Sequence, residues 1–312
     1  MDLNYKVMSE SLLSLNGLSL ERLRNFCLIA DAGSLTKAAR VGDGHADPAR
    51  MALFSRQLKE LETFFGVPLR RRSGKGIVLT EAGRRLAALA RGQFAGLEDF
   101  KRSCRQIPVE LKIASGNSLL EWLLLPKCPE IRKALPGIRL RLISQRTRDI
   151  VDGLMQQSLD FGLIRADALR AGLKFEKVRV EAYSLFVPRR LAPGISAANL
   201  RKRLADLPIA TSMGGQFREN LETEAAKAKW NLQIELSCSS FTQAARAVTS
   251  GAFAGVLPDV AAPQFDEAKV ARFALPFLKG CARPLVLAWH PRTANVREIV
   301  AAAKDCLVRL WR

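Results

Sequence analysis

Short apolar segments alternate with helical segments from residue 108 onward, and this alternation restricts the fold more than any other feature. Residues 111–114, 138–142 and 159–164 each have the length and composition of a strand, and helical patterns separate them. Strand, helix and strand at this spacing predict a parallel α/β sheet. A second series of strands is predicted at 183–187, 208–211, 234–237, 255–257 and 284–289. The last predicted helix covers residues 293–311.

The beginning of the chain has helical periodicity instead. Apolar residues with helical spacing predict a first helix that ends near Gly33, and Ser34 is expected to cap a short second helix. Ala38 and Ala39 of the second helix are small enough for another helix to approach closely. Asp47 as N-cap and Pro48 at the first helical position predict the start of a third helix.

The third helix has two contrasting faces. Its apolar seam consists of Met51, Phe54, Leu58, Leu61 and Phe65. The opposite face presents Ala49, Ala52, Arg56, Lys59 and Glu60, with Ser55 at its edge and Arg50 beside it. Small residues among cations suit a helix in the major groove, where Arg can bond guanine and Ser or Lys can hold phosphates. The alternative is an ordinary solvated helix face.

A basic hairpin follows the third helix. The segment FGVPLRRRSGKGIVLTEAG (65–83) predicts two short strands joined by a turn at residues 73–76. Arg70, Arg71, Arg72 and Lys75 crowd the tip and flank of this wing, where cations can grip phosphates or the minor groove. A helix-turn-helix followed by a basic wing is a more specific sign of DNA binding than either part alone.

In these residues the chain resembles the LysR-type transcriptional regulators. The matching stretches are AGSLTKAA (32–39), SRQLKELE (55–62), FGVPL (65–69) and LTEAG (79–83), together with Arg72. Two features depart from the family pattern: the joint before the third helix, residues 41–48, is about five residues longer, and Arg70 replaces the usual Phe. A longer surface loop costs about half a kcal/mol per doubling of its length, so we expect a modified but functional corner.

The resemblance implies an α/β fold class with an all-α-plus-wing N-terminal domain. The implied domains are a winged helix-turn-helix (1–79), a long linker helix for dimerisation (80–107) and a two-lobed periplasmic-binding-protein-like effector domain (108–312). Lobe I is expected at 108–165 and 269–312, and lobe II at 166–268. The candidate DNA-binding residues are Ser34, Thr36, Arg50, Ala52, Ser55, Arg56, Lys59, Arg71, Arg72 and Lys75.

The linker helix carries a heptad seam whose members Leu86, Ala90, Leu97 and Phe100 are the candidate dimerisation residues. Packing against the protein's own domain is the alternative. The resemblance implies pairing of two subunits on a pseudo-palindromic operator in double-stranded DNA, and a tetramer rather than a dimer. Contact with RNA polymerase is a further expectation, whereas no membrane partner is expected.

Hydroxyl and amide side chains lie just after several predicted strands. In α/β sheets, ligands commonly bind at these C-terminal strand ends. As simple helix caps these residues would have no ligand role. The resemblance implies that Thr147 contacts the effector, because the family usually has a small hydroxyl residue at this position. Arg146 is adjacent, and residues 108–312 contain 31 basic and 19 acidic residues, so we expect a small anionic effector. The candidate effector residues are Ser115, Asn117, Ser118, Arg146, Thr147, Met213, Phe241 and Thr242.

Composition agrees with a polyanionic partner and gives no sign of an enzyme. The chain has 49 Lys and Arg against 30 Asp and Glu, a formal charge of +19, although an Arg-rich lineage is an alternative cause. Two histidines and six cysteines without metal-ligand spacing predict no catalytic residue, metal or cofactor. Without a recognisable signal peptide a cytoplasmic location and reduced thiols are expected, and a redox-sensing pair is the alternative.

A cytoplasmic small-molecule-binding protein of the same effector fold is the alternative function. In that case the N-terminal module would serve only assembly. An enzyme that uses the α/β cleft is a third hypothesis, but the sequence offers no convergent set of His, Cys or carboxylate residues for it.

Overall fold

The computed structural model of the protein describes residues 18–40, 44–73, 76–212 and 215–311. The chain divides into two compact units. The first contains the described part of residues 1–107 with the short segments 155–158 and 292–298, and the second contains the remainder. Across these described residues, no helix combines the length and apolar character needed to cross a membrane.

The first unit is a helix-turn-helix with a wing and a long following helix. Its elements are α1 (Leu20–Ala32), α2 (Leu35–Ala38), α3 (Pro48–Phe65), β1 (Arg70–Ser73), β2 (Gly76–Leu79) and α4 (Glu81–Cys104). The predicted start of α3 is confirmed, since the Asp47 carboxylate accepts a hydrogen bond from the Ala49 N–H at 2.9 Å. Ser34 occupies the N-cap of α2 but makes no side-chain capping bond.

The core of this unit is formed by the inner faces of α1 and α3. Phe26, Phe54, Leu58 and Leu61 are at most 1% exposed. A buried hydrogen bond also links the two helices: Asn25 Nδ2 of α1 donates to Gln57 Oε1 of α3 at 2.7 Å. Burying one stripe of α3 in this way leaves the opposite stripe on the surface.

Two glycines on α4 allow other segments of the first unit to approach the helix closely. A side chain at Gly92 would collide with the Gln157 side chain, and one at Gly96 would meet Val296 at 2.8 Å. Beside Gly96, Asp99 accepts two hydrogen bonds from the nearly buried Arg297 guanidinium, at 2.5 and 3.1 Å. Glycine lowers the intrinsic stability of a helix, but at these two positions it permits close packing.

The second unit contains two five-stranded mixed sheets. The first sheet has the order β4–β3–β5–β12–β6, with strands Ile138–Ser144, Val109–Ser115, Phe161–Arg165, Arg283–Trp289 and Lys174–Glu181. The second has the order β11–β7–β10–β8–β9, with strands Val270–Phe273, Tyr183–Pro188, Ala254–Pro258, Pro208–Ser212 and Gln233–Cys238. The second unit's α-helices of four or more residues are α5 (Cys128–Ala134), α6 (Thr147–Met155), α7 (Leu200–Arg203), α8 (Gly215–Lys227), α9 (Phe241–Ser250) and α11 (Glu298–Leu310), whereas the helix that precedes α11, α10 (Pro291–Val296), belongs almost entirely to the first unit.

Strand pairing corrects several details of the sequence interpretation. Strands β6 and β11 were not predicted, and antiparallel pairs make both sheets mixed rather than parallel. The lobe limits therefore differ from those expected: β6 joins the first sheet and β11 the second, since the chain crosses twice between sheets. The last helix is interrupted near Arg297, where its side chain binds Asp99.

The first crossing between sheets contains a buried carboxyl group. Glu181 ends β6 and is 2% exposed, and its Oε1 accepts a hydrogen bond from the Val260 N–H at 3.4 Å. Burial raises the pKa of Glu181 to about 7, and the nearby Arg179 guanidinium only partly offsets this effect. The carboxyl group is therefore protonated in mildly acidic solution.

We predict that stability falls as Glu181 ionises. Its pKa in the folded protein lies above its ordinary value of 4.5, so its stabilising contribution is complete below about pH 4.5 and is lost as pH rises through about 7. Glu181→Gln, which stays neutral, should melt several degrees above the wild type at pH 8 and near it at pH 5. Thermal melts across this range, with the exposed Glu98→Gln as control, test this; parallel curves for wild type and Glu181→Gln would contradict it.

Candidate nucleic-acid interface and effector site

The outer face of α3 presents the predicted reading residues to solvent. Ala52 and Lys59 are exposed, and the Arg56 side chain is 71% exposed. Ser55 is half-buried, and the half-buried Arg50 places its guanidinium 5.3 Å from the centre of the Phe54 ring. Arg50 is thus partly engaged by the core, while Arg56 and Lys59 project outward.

An acidic residue on this face is paired with cations on both sides. Glu60 Oε2 lies 2.7 Å from Arg22 Nε, and Glu60 Oε1 lies 3.7 Å from Arg56 Nε. The pair with Arg22 offsets the charge of the carboxylate, which would otherwise repel phosphates. The face of α3 therefore keeps a net positive character.

The turn before α2 and the wing flank this helix. Thr36 is exposed, Ser34 is half-buried, and Arg71 of β1 is exposed. The Ile77 N–H donates to the Gly33 carbonyl oxygen at 2.8 Å, which ties β2 to the turn after α1. Lys75 and the side chain of Arg72 lie outside the described residues.

The exposed apolar stripe of α4 differs from the predicted seam. Ala90 is 3% exposed and Leu86 packs against the first unit's core, so Ala90 is inaccessible to a partner. Leu97 and Phe100 are 53% and 70% exposed, as a dimer contact requires. Leu89, 45% exposed, lies on the same face, because steps of four, four and three residues connect positions 89, 93, 97 and 100.

Residues predicted at the strand ends of different sheets do meet in the second unit. Asn117 follows β3, and its Nδ2 donates to Thr242 Oγ1 at 3.0 Å at the start of α9. Thr242 also shares a hydrogen bond of 2.7 Å with Ser240, and Asn117 donates to Glu121 at 3.1 Å. This polar chain connects the two sheets on the side where ligands of such folds bind.

The other predicted effector residues have different environments. Ser118 and Thr147 are half-buried and Arg146 is exposed, whereas Met213 lies outside the described residues. Ser115 is 0% exposed and donates to the Leu163 carbonyl oxygen at 2.7 Å, so its hydroxyl bonds within the sheet rather than facing a ligand. The sequence could not separate these cases, since both types are hydroxyl residues at a strand end.

Phe241 belongs to a cluster of aromatic rings. Its ring centre lies 4.9 Å from that of Phe217 and 5.8 Å from that of Tyr183. Tyr183 and Phe217 are themselves 4.4 Å apart. Phe241 therefore contributes to the core of the second sheet, and any ligand contact would be made by its exposed edge.

An arginine at the end of β5 was missed by the sequence interpretation. Arg165 Nη1 donates to Gln216 Oε1 of α8 at 3.1 Å, and Arg165 Nε lies 3.5 Å from Asp167. Its guanidinium thus joins the first sheet to a helix of the second. Its position at a strand end was the available signal, but nothing in the sequence showed that α8 lies against it.

The cysteines and acidic residues offer no metal or disulfide centre within the described parts of the chain. All six thiols are free, and burial raises the pKa of Cys27 to about 11. Burial also raises the pKa of four other thiols: Cys128, Cys238, Cys281 and Cys306. A raised pKa lowers the thiolate fraction and hence reactivity toward oxidants.

Two family models match the chain. Residues 20–84 match the bacterial regulatory helix-turn-helix protein, lysR family, and residues 106–308 match the LysR substrate binding domain. Together they cover both units. The second match alone extends over more than half of the chain.

Individual proteins agree with this assignment. The uncharacterized HTH-type transcriptional regulator YfeR of Shigella flexneri is 27% identical over 177 residues, 55% of each chain. A probable hydrogen peroxide-inducible genes activator of Mycobacterium leprae is 24% identical over 77% of this chain and 78% of its own. The chain thus spans about half of the first relative's length.

A solved structure shows the same fold. Full-length OxyR from Pseudomonas aeruginosa aligns with a TM-score of 0.61 at 19% identity, covering 94% of this chain and 97% of that one. The helix-turn-helix, the wing and the two mixed sheets thus have known counterparts in one protein. The chain belongs to the LysR family of DNA-binding transcriptional regulators and carries that family's effector-binding domain.

Proposed function

We propose that this regulator reads a pseudo-palindromic operator with the outer face of α3 in the major groove. The exposed face of α3 carries this proposal: Ala52 lets the backbone approach the bases, and Arg56 extends into solvent. An arginine in this position can donate two hydrogen bonds to guanine O6 and N7. Exposed Arg71 on the wing supports phosphate contacts beside the groove.

Arg56→Ala should weaken binding to the operator by about 1–3 kcal/mol, because the bidentate contact to a base is lost. Fluorescence anisotropy with DNA from upstream of the protein's own gene, at two salt concentrations, measures this change. Arg132→Ala, which removes an exposed arginine from the second unit, is the matched control.

A scrambled duplex distinguishes base reading from charge attraction. The wild type should prefer the operator, and Arg56→Ala should lose that preference while keeping salt-sensitive binding to both duplexes. Equal effects of Arg56→Ala and Arg132→Ala would contradict the assignment of α3 as the reading helix.

The apolar stripe of α4 supports pairing of two subunits. Leu89, Leu97 and Phe100 leave a large part of their surface in water, and a second α4 would cover it. A C2 pair of subunits would present two reading helices to two half-sites. We propose a tetramer built from two such pairs as the assembly on DNA.

Leu97→Glu should dissociate the pair, because a charge would be buried in the apolar contact. Size-exclusion chromatography with light scattering should then find smaller particles than for the wild type. Val180→Glu changes another exposed apolar residue, on β6, and should leave the mass unchanged. An unchanged mass for Leu97→Glu, or an equal loss for both variants, would contradict this pairing surface.

The effector is proposed to be a small organic anion held between the two sheets of the second unit. Arg146 and Arg165 supply positive charge near strand ends, and Asn117, Thr147 and Thr242 supply polar groups. Guanidinium groups bind carboxylates with paired hydrogen bonds. Binding would favour one arrangement of the sheets and thereby alter DNA affinity.

At least one member of an organic-anion panel should raise the melting temperature of the wild type, since a ligand at 100 times its Kd stabilises by about 2.7 kcal/mol. Thr147→Val should reduce that shift, whereas Thr63→Val, an exposed change on α3, should preserve it. A panel without any shift in the wild type would contradict an anionic effector.

A peroxide-sensing role receives no support from five of the six thiols. The Mycobacterium leprae relative is named as a probable hydrogen peroxide-inducible genes activator. In this chain, burial raises the pKa of five of the six thiols, which keeps them protonated and slow to react. A small-molecule effector is therefore a better proposal than a peroxide-sensing thiol. We further propose that the regulator acts in the cytoplasm and contacts RNA polymerase at the operator.

A further inference from the structure

The long joint between α2 and α3 is closed at its base by backbone contacts. Arg40 and Ala46 form an antiparallel bridge, and the Asp47 N–H donates to the Ala39 carbonyl oxygen at 3.3 Å. Ala39 is 0% exposed, and Ala46 packs against the cluster that contains Phe54. Both ends of the joint are therefore anchored in the core beside the first turn of α3.

This anchoring presents two basic side chains at one end of the reading helix. Arg40 and His45 are both exposed, and each adjoins or forms the bridge. In the described parts of the chain, neither residue takes part in an ion pair. A guanidinium that has no ion-pair partner among the described residues can bind a phosphate, and an imidazole can bond either a phosphate or a base edge.

The position of these residues follows from the direction of α3. Ala49, Ala52 and Arg56 lie three and four residues apart and so share the outer face of the helix. Ala49 is exposed and stands one turn closer to the joint than Ala52. The joint and the reading face are therefore continuous at the N-terminal end of α3, where helices of this type contact base edges.

The acidic residue next to the joint does not cancel this charge. The Asp47 carboxylate is used as the N-cap of α3, where it accepts a hydrogen bond from the Ala49 N–H. It therefore faces the helix terminus, whose partial positive charge it balances. Among the described residues from Arg40 to Asp47, Arg40 and His45 are therefore the side chains that can bond a neighbouring duplex.

We propose that the two described flanks of the joint add to DNA reading: Arg40 contacts a phosphate and His45 contacts an adjoining base edge. The operator half-site would then include at least one base beyond those reached by Ala52 and Arg56. The inference rests on the proposed role of α3 as the reading helix. It adds a determinant of specificity that a shorter joint would lack.

The test starts with selection of preferred sequences from a randomised duplex library by the full-length wild type. Anisotropy with the selected duplex then compares Arg40→Ala, His45→Ala, Arg56→Ala and, as control, Lys101→Ala. Lys101 is an exposed cation on α4, 20 residues beyond its start, which is about 30 Å along the helix. Thermal melts should confirm that these surface changes leave folding intact.

Arg40→Ala should weaken binding to all duplexes and reduce the slope of log affinity against log salt by about 1 for each bound subunit. His45→Ala should flatten the preference at one base position, tested by repeating the selection. Lys101→Ala should behave as the wild type in both assays.

Two results separate the inference from the function on which it depends. If Arg56→Ala loses the selected sequence while Arg40→Ala and His45→Ala match Lys101→Ala, the joint plays no part in reading, although α3 does. If the wild type selects no sequence at all, the proposed reading function fails and the inference fails with it.

Discussion

The reading head, which consists of α1 to β2, depends on the burial of one face of α3 against α1. The inner stripe of α3 packs against α1, and the buried hydrogen bond between Asn25 and Gln57 fixes how the two helices face each other. An apolar stripe alone tolerates small rotations, whereas an amide pair inside the core has one satisfied geometry. That geometry determines which residues of α3 remain outside.

The helix α4 is also buried on one side and exposed on the other. Gly92 and Gly96 allow neighbouring segments to touch the helix backbone, and the nearly buried Arg297 binds Asp99 beside them. One side of α4 is therefore covered by other segments of the same chain. The other side keeps Leu97 and Phe100 in water, so the same helix offers one packed face and one face for a second subunit.

Local signals in the sequence were sufficient for the reading head, because caps and helical stripes are encoded within a few residues. Asp47 and Pro48 predict the start of α3 correctly. Ala90 could not be interpreted in this way, since its burial depends on packing of the folded unit. Likewise β6 and β11 pair only with strands distant in the chain, and the bond between Asn117 and Thr242 joins residues 125 positions apart.

Photo-crosslinking can show whether the outer face of α3 lies against the bases of the operator. A photoreactive residue replaces Ala52, on the outer face of α3, or Ala268, an equally small exposed residue of the second unit, in otherwise identical full-length protein. We expect crosslinks from position 52 to a base within the selected operator and none from position 268. Crosslinks from position 268 with none from position 52 would contradict α3 as the DNA-reading helix.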